Sequence, residues 1–147
     1  MRQRRDQARR LLTRVTSYED PASFRLSLAA YPGAPREARR ALEGLGSDLD
    51  KDLAERVDLV VSELVTNSLK YADLSESERI ELSVSLRPAL LRIEVTDQGD
   101  GFEPQALRPG RENEVGGWGL WVVDQMADRW GVDFSHSTNV WCEFDRA

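Results

Sequence analysis

At 147 residues, 40% hydrophobic and 31% charged, the chain is sized for one domain that buries roughly two-thirds of the surface of its unfolded form. A net charge of -6 argues against a general nucleic-acid binder, and a single cysteine, Cys142, excludes an internal disulfide and a cysteine-based zinc site. No apolar run approaches the ~18 residues of a membrane helix. The arginines of MRQRRDQARR lead only into LLTRVTSYEDP, not into the apolar core of a signal peptide, so a cytoplasmic protein without membrane association is expected.

Residues 1–20 read as a basic arm, with six arginines in the first fourteen positions, ahead of a single domain over residues 21–147. A short helix from Arg9 to Val15 is compatible with the arm, as is a solvated terminus. In SFRLSL, Phe24, Leu26 and Leu28 alternate with polar residues, which predicts a half-buried strand. Tyr31-Pro32-Gly33 breaks it, and a first helix follows from Pro35 to Leu45. The longest element is predicted over Asp52 to Ala72, where Leu53, Val57, Val60, Val61, Leu64 and Ser68 form one broad stripe at helical spacing.

The clearest strand is RIELSVSLR, with Ile80, Leu82, Val84 and Leu86 in one phase; a turn at Pro88-Ala89 returns LLRIEVTD with Leu91, Ile93 and Val95 in phase. This predicts a hairpin with one wet face. From Asp100 to Gly117 apolar periodicity vanishes, a loop length that in compact domains is often functional. A third helix is predicted over GLWVVDQMADRW, then strand VDFSH, a turn at Ser137-Thr138-Asn139, and strand VWCEF. The order lacks the strict alternation of a doubly wound parallel fold. It suits an α+β two-layer sandwich, with three helices on one face of a mixed, mostly antiparallel sheet.

Several residues stand out chemically. At about 100° per residue, Glu63, Asn67 and Lys70 form a narrow band on the shoulder of the long helix's apolar stripe; any such group is more often an ordinary polar helix face. Asp97 continues the inward phase of Leu91, Ile93 and Val95, and the nearby sequence offers its carboxylate no obvious partner. It either meets a ligand's N–H donor or caps the turn into Gly99. Gly99 and Gly101 in DQGDG permit close approach of a flat ligand to the backbone. Gly116-Gly117-Trp118-Gly119 precedes a helix, where free N–H groups and the positive dipole end favour phosphate; a hinge explains the glycines equally well. No Walker loop occurs, and the dinucleotide fingerprint is only half matched. His136 and Cys142 read as core-side strand residues, and the four tryptophans as packing.

Together, ELVTNSLKYA, DQGDGF and GGWGLWVVDQMADRWGV resemble the N, G1 and G2 boxes of the GHKL (Bergerat-fold) ATP-binding superfamily, over Phe24 to Phe144. Within it the chain is most similar to bacterial anti-sigma-factor serine/threonine kinases. The resemblance implies a histidine-kinase-type ATPase fold with ATP and Mg²⁺ as ligands. It makes Asn67 the metal ligand, Glu63 the general base, and Asp97 the acceptor of the adenine amino group. Gly99 and Gly101 would flank the base; Gly117, Gly119 and Leu120 would present N–H groups to the phosphates. Lys70 and one of the loop arginines, Arg108 or Arg111, would add positive charge.

The implied partners are a sigma factor and an anti-sigma-factor antagonist protein; a homodimer is left open. Trp118 departs from the family's usual small or basic residue, and the phosphoacceptor histidine and dimerisation helices of sensor kinases are absent. The alternative is a nucleotide-gated binding module of the same fold without turnover.

Overall fold

The computed structural model describes residues 23–45, 48–71, 74, 77–98, 117–134 and 137–146. Its elements are β1 (Phe24–Ala29), α1 (Ala34–Leu42) with a short 3-10 turn (Glu43–Leu45), α2 (Lys51–Tyr71), β2 (Arg79–Leu86), β3 (Leu90–Asp97), α3 (Gly117–Met126), β4 (Arg129–Phe134) and β5 (Thr138–Asp145). The strands form one sheet in the order β1-β2-β3-β5-β4. All four pairings are antiparallel, so the mostly antiparallel sheet expected from the sequence is antiparallel throughout.

Local sequence explains most of these elements. Alternation sets β1 against β2 with Leu26 opposite Leu82 and Leu28 opposite Ile80, and all four side chains point to the covered face. The β2–β3 hairpin closes tightly, Arg87 N–H donating to the Leu90 carbonyl at 2.8 Å around Pro88 and Ala89. Pro35 lies in the first turn of α1, where its missing N–H removes no helical bond. Helix α1 then buries Ala34, Ala38 and Leu42. At the start of α2, Asp50 caps the helix: its carboxylate accepts the Leu53 N–H at 2.8 Å. Leu53, Val57, Val60, Val61, Leu64 and Val65 then bury the apolar stripe.

Two boundaries differ from the sequence expectation. Helix α3 ends at Met126 instead of continuing to Trp130, and β4 begins at Arg129. The helical spacing of Leu120, Val123 and Ala127 is outweighed by the ladder to β5, which sets Trp130 opposite Cys142 and Val132 opposite Val140. Arg129 is further held by Glu143 at 3.0 Å and Asp145 at 2.6 Å. Likewise Thr138 and Asn139 belong to β5 and not to a turn, because they extend its pairing to Asp97 and Thr96 of β3.

The two faces of the sheet differ in kind. The helices cover the face carrying Leu28, Ile80, Leu82, Leu91, Ile93 and Phe144, all fully buried. As expected, Cys142 is core: it is buried, and desolvation pushes its thiol pKa up to about 12. The open face carries a charge ladder in which Arg92 bridges Glu94 and Glu143, each at 3.1 Å, with its guanidinium 4.6 Å from the Trp141 ring centroid. On the other side of that indole, Gly131 lies so close that an added Cβ would stand 2.7 Å from the ring. Hydrogen bonds from Arg129 and Arg92 hold the Glu143 carboxyl below its ordinary range; Arg129 does the same for Asp145. Among the described residues no helix is long and apolar enough to cross a membrane.

Candidate functional site

Among the described residues, Glu63, Asn67 and Lys70 lie on α2, Gly117, Gly119 and Leu120 on α3, and Asp97 at the end of β3. Helix α2 packs against both β3 and α3. Arg56 on α2 donates to the Met126 carbonyl at the end of α3 at 3.1 Å, which identifies the flank of α2 that faces α3. Glu63 and Asn67 follow Arg56 by seven and eleven residues, close to two and three turns of helix, so they lie on that same flank. Beyond Arg56, α2 has only five residues toward its start but fifteen toward Tyr71. Helix α3 opens with Gly117, Gly119 and Leu120, at the end opposite the Arg56 bond.

The side chains differ in how they are held. Asn67 is 5% exposed, and its Nδ2 is buried without a hydrogen-bond partner among the described residues. An unmade bond at a buried amide costs about 1–3 kcal/mol, so this donor is the feature of the site that the fold itself leaves unexplained. Glu63 is half-buried, one turn earlier, and Lys70 is exposed. Leu120, the fourth residue of α3, is buried at 1% exposure.

Asp97 ends β3 at 3% exposure, facing inward as its phase requires. The sequence offered it no obvious partner, but the fold engages it: both Asp97 and Thr138, directly opposite on β5, take part in polar interactions. Thr138, at 1% exposure, was not singled out from the sequence. Its signal was available in its phase, since it alternates inward with Val140, Cys142 and Phe144 on the face that should be apolar. Reading it as part of a turn hid that phase.

Gly99, Gly101, Arg108, Arg111 and His136 lie outside the described residues, as does the arginine arm. A depression of about 380 Å³ on the open face is lined by Arg25, Glu81, Ser83, Glu94 and Thr96. It is across the sheet from Asp97 and shares no residue with the candidate site.

The donor set fits magnesium nucleotide better than a bare metal. Among the described residues no group of three or more histidine, cysteine, aspartate or glutamate side chains stands ready to hold an ion. Mg²⁺ rarely needs such a cage; it binds through one or two protein oxygens together with water and substrate phosphates. The Asn67 carboxamide oxygen meets that requirement, leaving the nearby Glu63 carboxylate free for proton transfer. The orphaned Nδ2–H of Asn67 would find its acceptor in a phosphate oxygen.

A five-stranded antiparallel sheet layered with three helices defines an α+β two-layer domain. The chain matches the family described as "Histidine kinase-like ATPase domain" over residues 28–141, and it belongs to that family, within the GHKL superfamily. ATP is the ligand this membership implies.

Solved structures agree on the fold. The histidine kinase domain of the Erythrobacter litoralis EL346 blue-light activated histidine kinase is 26% identical, with a TM-score of 0.50 over 63% of this chain and 44% of that one. The chain thus spans less than half the length of that relative. The mycobacterial sensor histidine kinase MprB is 18% identical, with a TM-score of 0.50 over 63% of this chain and 73% of that one. The nucleotide-free catalytic domain of histidine kinase ThkA is 14% identical, with a TM-score of 0.54 over 82% of this chain and 97% of that one.

Proposed function

We propose that this chain is an ATP-dependent regulatory protein of the anti-sigma-factor type, a serine/threonine kinase that phosphorylates an antagonist protein and sequesters a sigma factor in the cytoplasm. The observation that carries the reading is the buried, unpartnered Nδ2 of Asn67, one turn from the half-buried carboxylate of Glu63 on the flank facing α3. Stable folding gains nothing from that buried N–H donor, whereas a magnesium nucleotide would use both ends of the amide.

Magnesium ATP would supply the phosphoryl group and the cation that neutralises its charge. Asn67 would hold the metal through Oδ1 and donate Nδ2–H to a phosphate oxygen. Asp97 would accept the adenine amino group at the other end of the pocket, with Thr138 beside it. Glu63 would take the proton from the attacking serine or threonine hydroxyl as the new O–P bond forms and ADP departs. Such transfer is mostly positioning and charge neutralisation, and the general base adds about 10²–10⁴-fold. Gly117, Gly119 and the lid arginines, Arg108 or Arg111, would complete the phosphate contacts, with Lys70 adding charge at the rim.

The test is Glu63→Gln assayed with radiolabelled ATP and the antagonist proteins encoded near the gene. The variant keeps the parent's ATP affinity and loses partner phosphorylation by at least about a hundredfold. Equal transfer by both proteins removes Glu63 from the role of base. ATP binding with no phosphoserine or phosphothreonine formed by the parent on any antagonist would favour a nucleotide-gated binding module that captures its partner without turnover.

A further inference from the structure

We infer that Arg56 is a positioning residue for the phosphate end of the nucleotide, acting through α3. This inference rests on the nucleotide reading above. The glycines that open α3 carry no side chains with which to anchor its first turn, so the pose of that turn depends on how the rest of the helix is held. Leu120 and Val123, both buried, fix the middle of the helix. The far end is pinned by polar contacts: the Ala127 N–H closes on the Val123 carbonyl at 2.9 Å, Trp130 Nε1 donates to Asp124 at 2.9 Å, and Arg56 Nη1 donates to the Met126 carbonyl at 3.1 Å. Of these three, only the Arg56 bond comes from another helix.

The geometry of Arg56 is that of a clamp. Its Nε pairs with Asp52 at 3.1 Å, and its guanidinium carbon lies 5.8 Å from the ring centroid of Phe144, which is wholly buried. The side chain is 31% exposed while that of Asp52 is 82% exposed, so the guanidinium is oriented from the solvent side and turns an Nη1 donor to a terminal carbonyl. Those last carbonyls of a helix have no partner within it. A cation there also opposes the negative end of the helix dipole. Loosening this bond frees α3 to tilt about Leu120 and Val123, displacing its first turn from the phosphates while leaving Asp97 and Thr138 in place.

The consequence is a split between ligands, which a residue that merely supports the fold would not produce. Calorimetry on the full chain compares ATP and adenosine for the parent, Arg56→Met, Arg56→Lys and Asp52→Asn. Arg56→Met weakens ATP binding roughly tenfold, the scale of one hydrogen bond from a charged group, and leaves adenosine affinity unchanged. Lysine recovers part of the loss, since its ammonium reaches the carbonyl but cannot hold Asp52 as well. Asp52→Asn, on an exposed side chain that pairs with Arg56, shifts ATP in the same direction by less, and tests the idea even if Arg56→Met fails to fold. In nucleotide-free protein, amide exchange over residues 120–126 rises in Arg56→Met. Parallel losses for ATP and adenosine, or unchanged ATP affinity in the variants, overturn the positioning role. A parent that binds neither ligand overturns the nucleotide reading, and this inference with it.

Discussion

Replacing Asn67 with leucine should make the protein more stable and unable to use magnesium ATP. Leucine keeps the branching and heavy-atom count of asparagine, though its methyls are bulkier, and the site is 5% exposed with an amide donor that bonds to nothing among the described residues. Removing a buried unsatisfied donor returns about 1–3 kcal/mol. A chain of this length unfolds with an entropy near 0.3 kcal/mol per kelvin, so the melting temperature of the nucleotide-free variant rises by roughly 3–10 °C. In the parent, magnesium ATP at one hundred times its dissociation constant adds about 2.7 kcal/mol. The variant loses most of that increment, because its side chain offers neither an oxygen to the metal nor an N–H to phosphate. Differential scanning fluorimetry of both proteins, with and without the nucleotide, reads all four values. A variant less stable than the parent, or one that keeps the full nucleotide shift, refutes the reasoning that function maintains this polar group.

The remaining predictions concern the scaffold. Gly131→Ala sets a methyl 2.7 Å from the Trp141 ring, and overpacking of this kind costs about 1–3 kcal/mol, seen as a lower urea midpoint; an unchanged midpoint means that the indole swings away freely. Phe144→Ala empties a wholly buried site and should cost about 3–5 kcal/mol in the same assay. The Cys142 thiol, with its pKa pushed up to about 12 by burial, should resist iodoacetamide at pH 8 and react only when urea unfolds the chain.

Acid should destabilise the open face. Hydrogen bonds from Arg129 depress the Glu143 and Asp145 carboxyls below their ordinary values of 4.5 and 3.8. The stability they contribute is present above those values and disappears as pH falls toward the folded ones. Urea midpoints should decline below about pH 5, and less steeply in Arg129→Gln. An identical decline in both proteins would assign the acid limb to other groups.

The sequence by itself determined the periodic elements. Alternation in SFRLSL, RIELSVSL and LLRIEVTD and the apolar stripe of α2 are local patterns, and each element keeps them. They remain legible because one buried face fixes which residues turn inward. The inward phase of Asp97 and the shared shoulder of Glu63 and Asn67 follow from the same two periods. What tertiary structure alone decided is where long-range pairing competes with local preference. DQMADRW reads as helix, but partners on β5 draw Arg129 and Trp130 into a strand. Thr138 and Asn139 read as a turn until β3 supplies their ladder.

The same holds for the quantities that make a site. No spacing rule reveals that the Asn67 amide is buried without a partner or that Asp97 is engaged, because burial and satisfaction depend on chain segments far away in sequence. Nor does one reveal that Arg56 reaches a carbonyl 70 residues on. Periodicity is a property of neighbours, and so survives in the sequence; the satisfaction of a polar group belongs to whatever the fold packs against it.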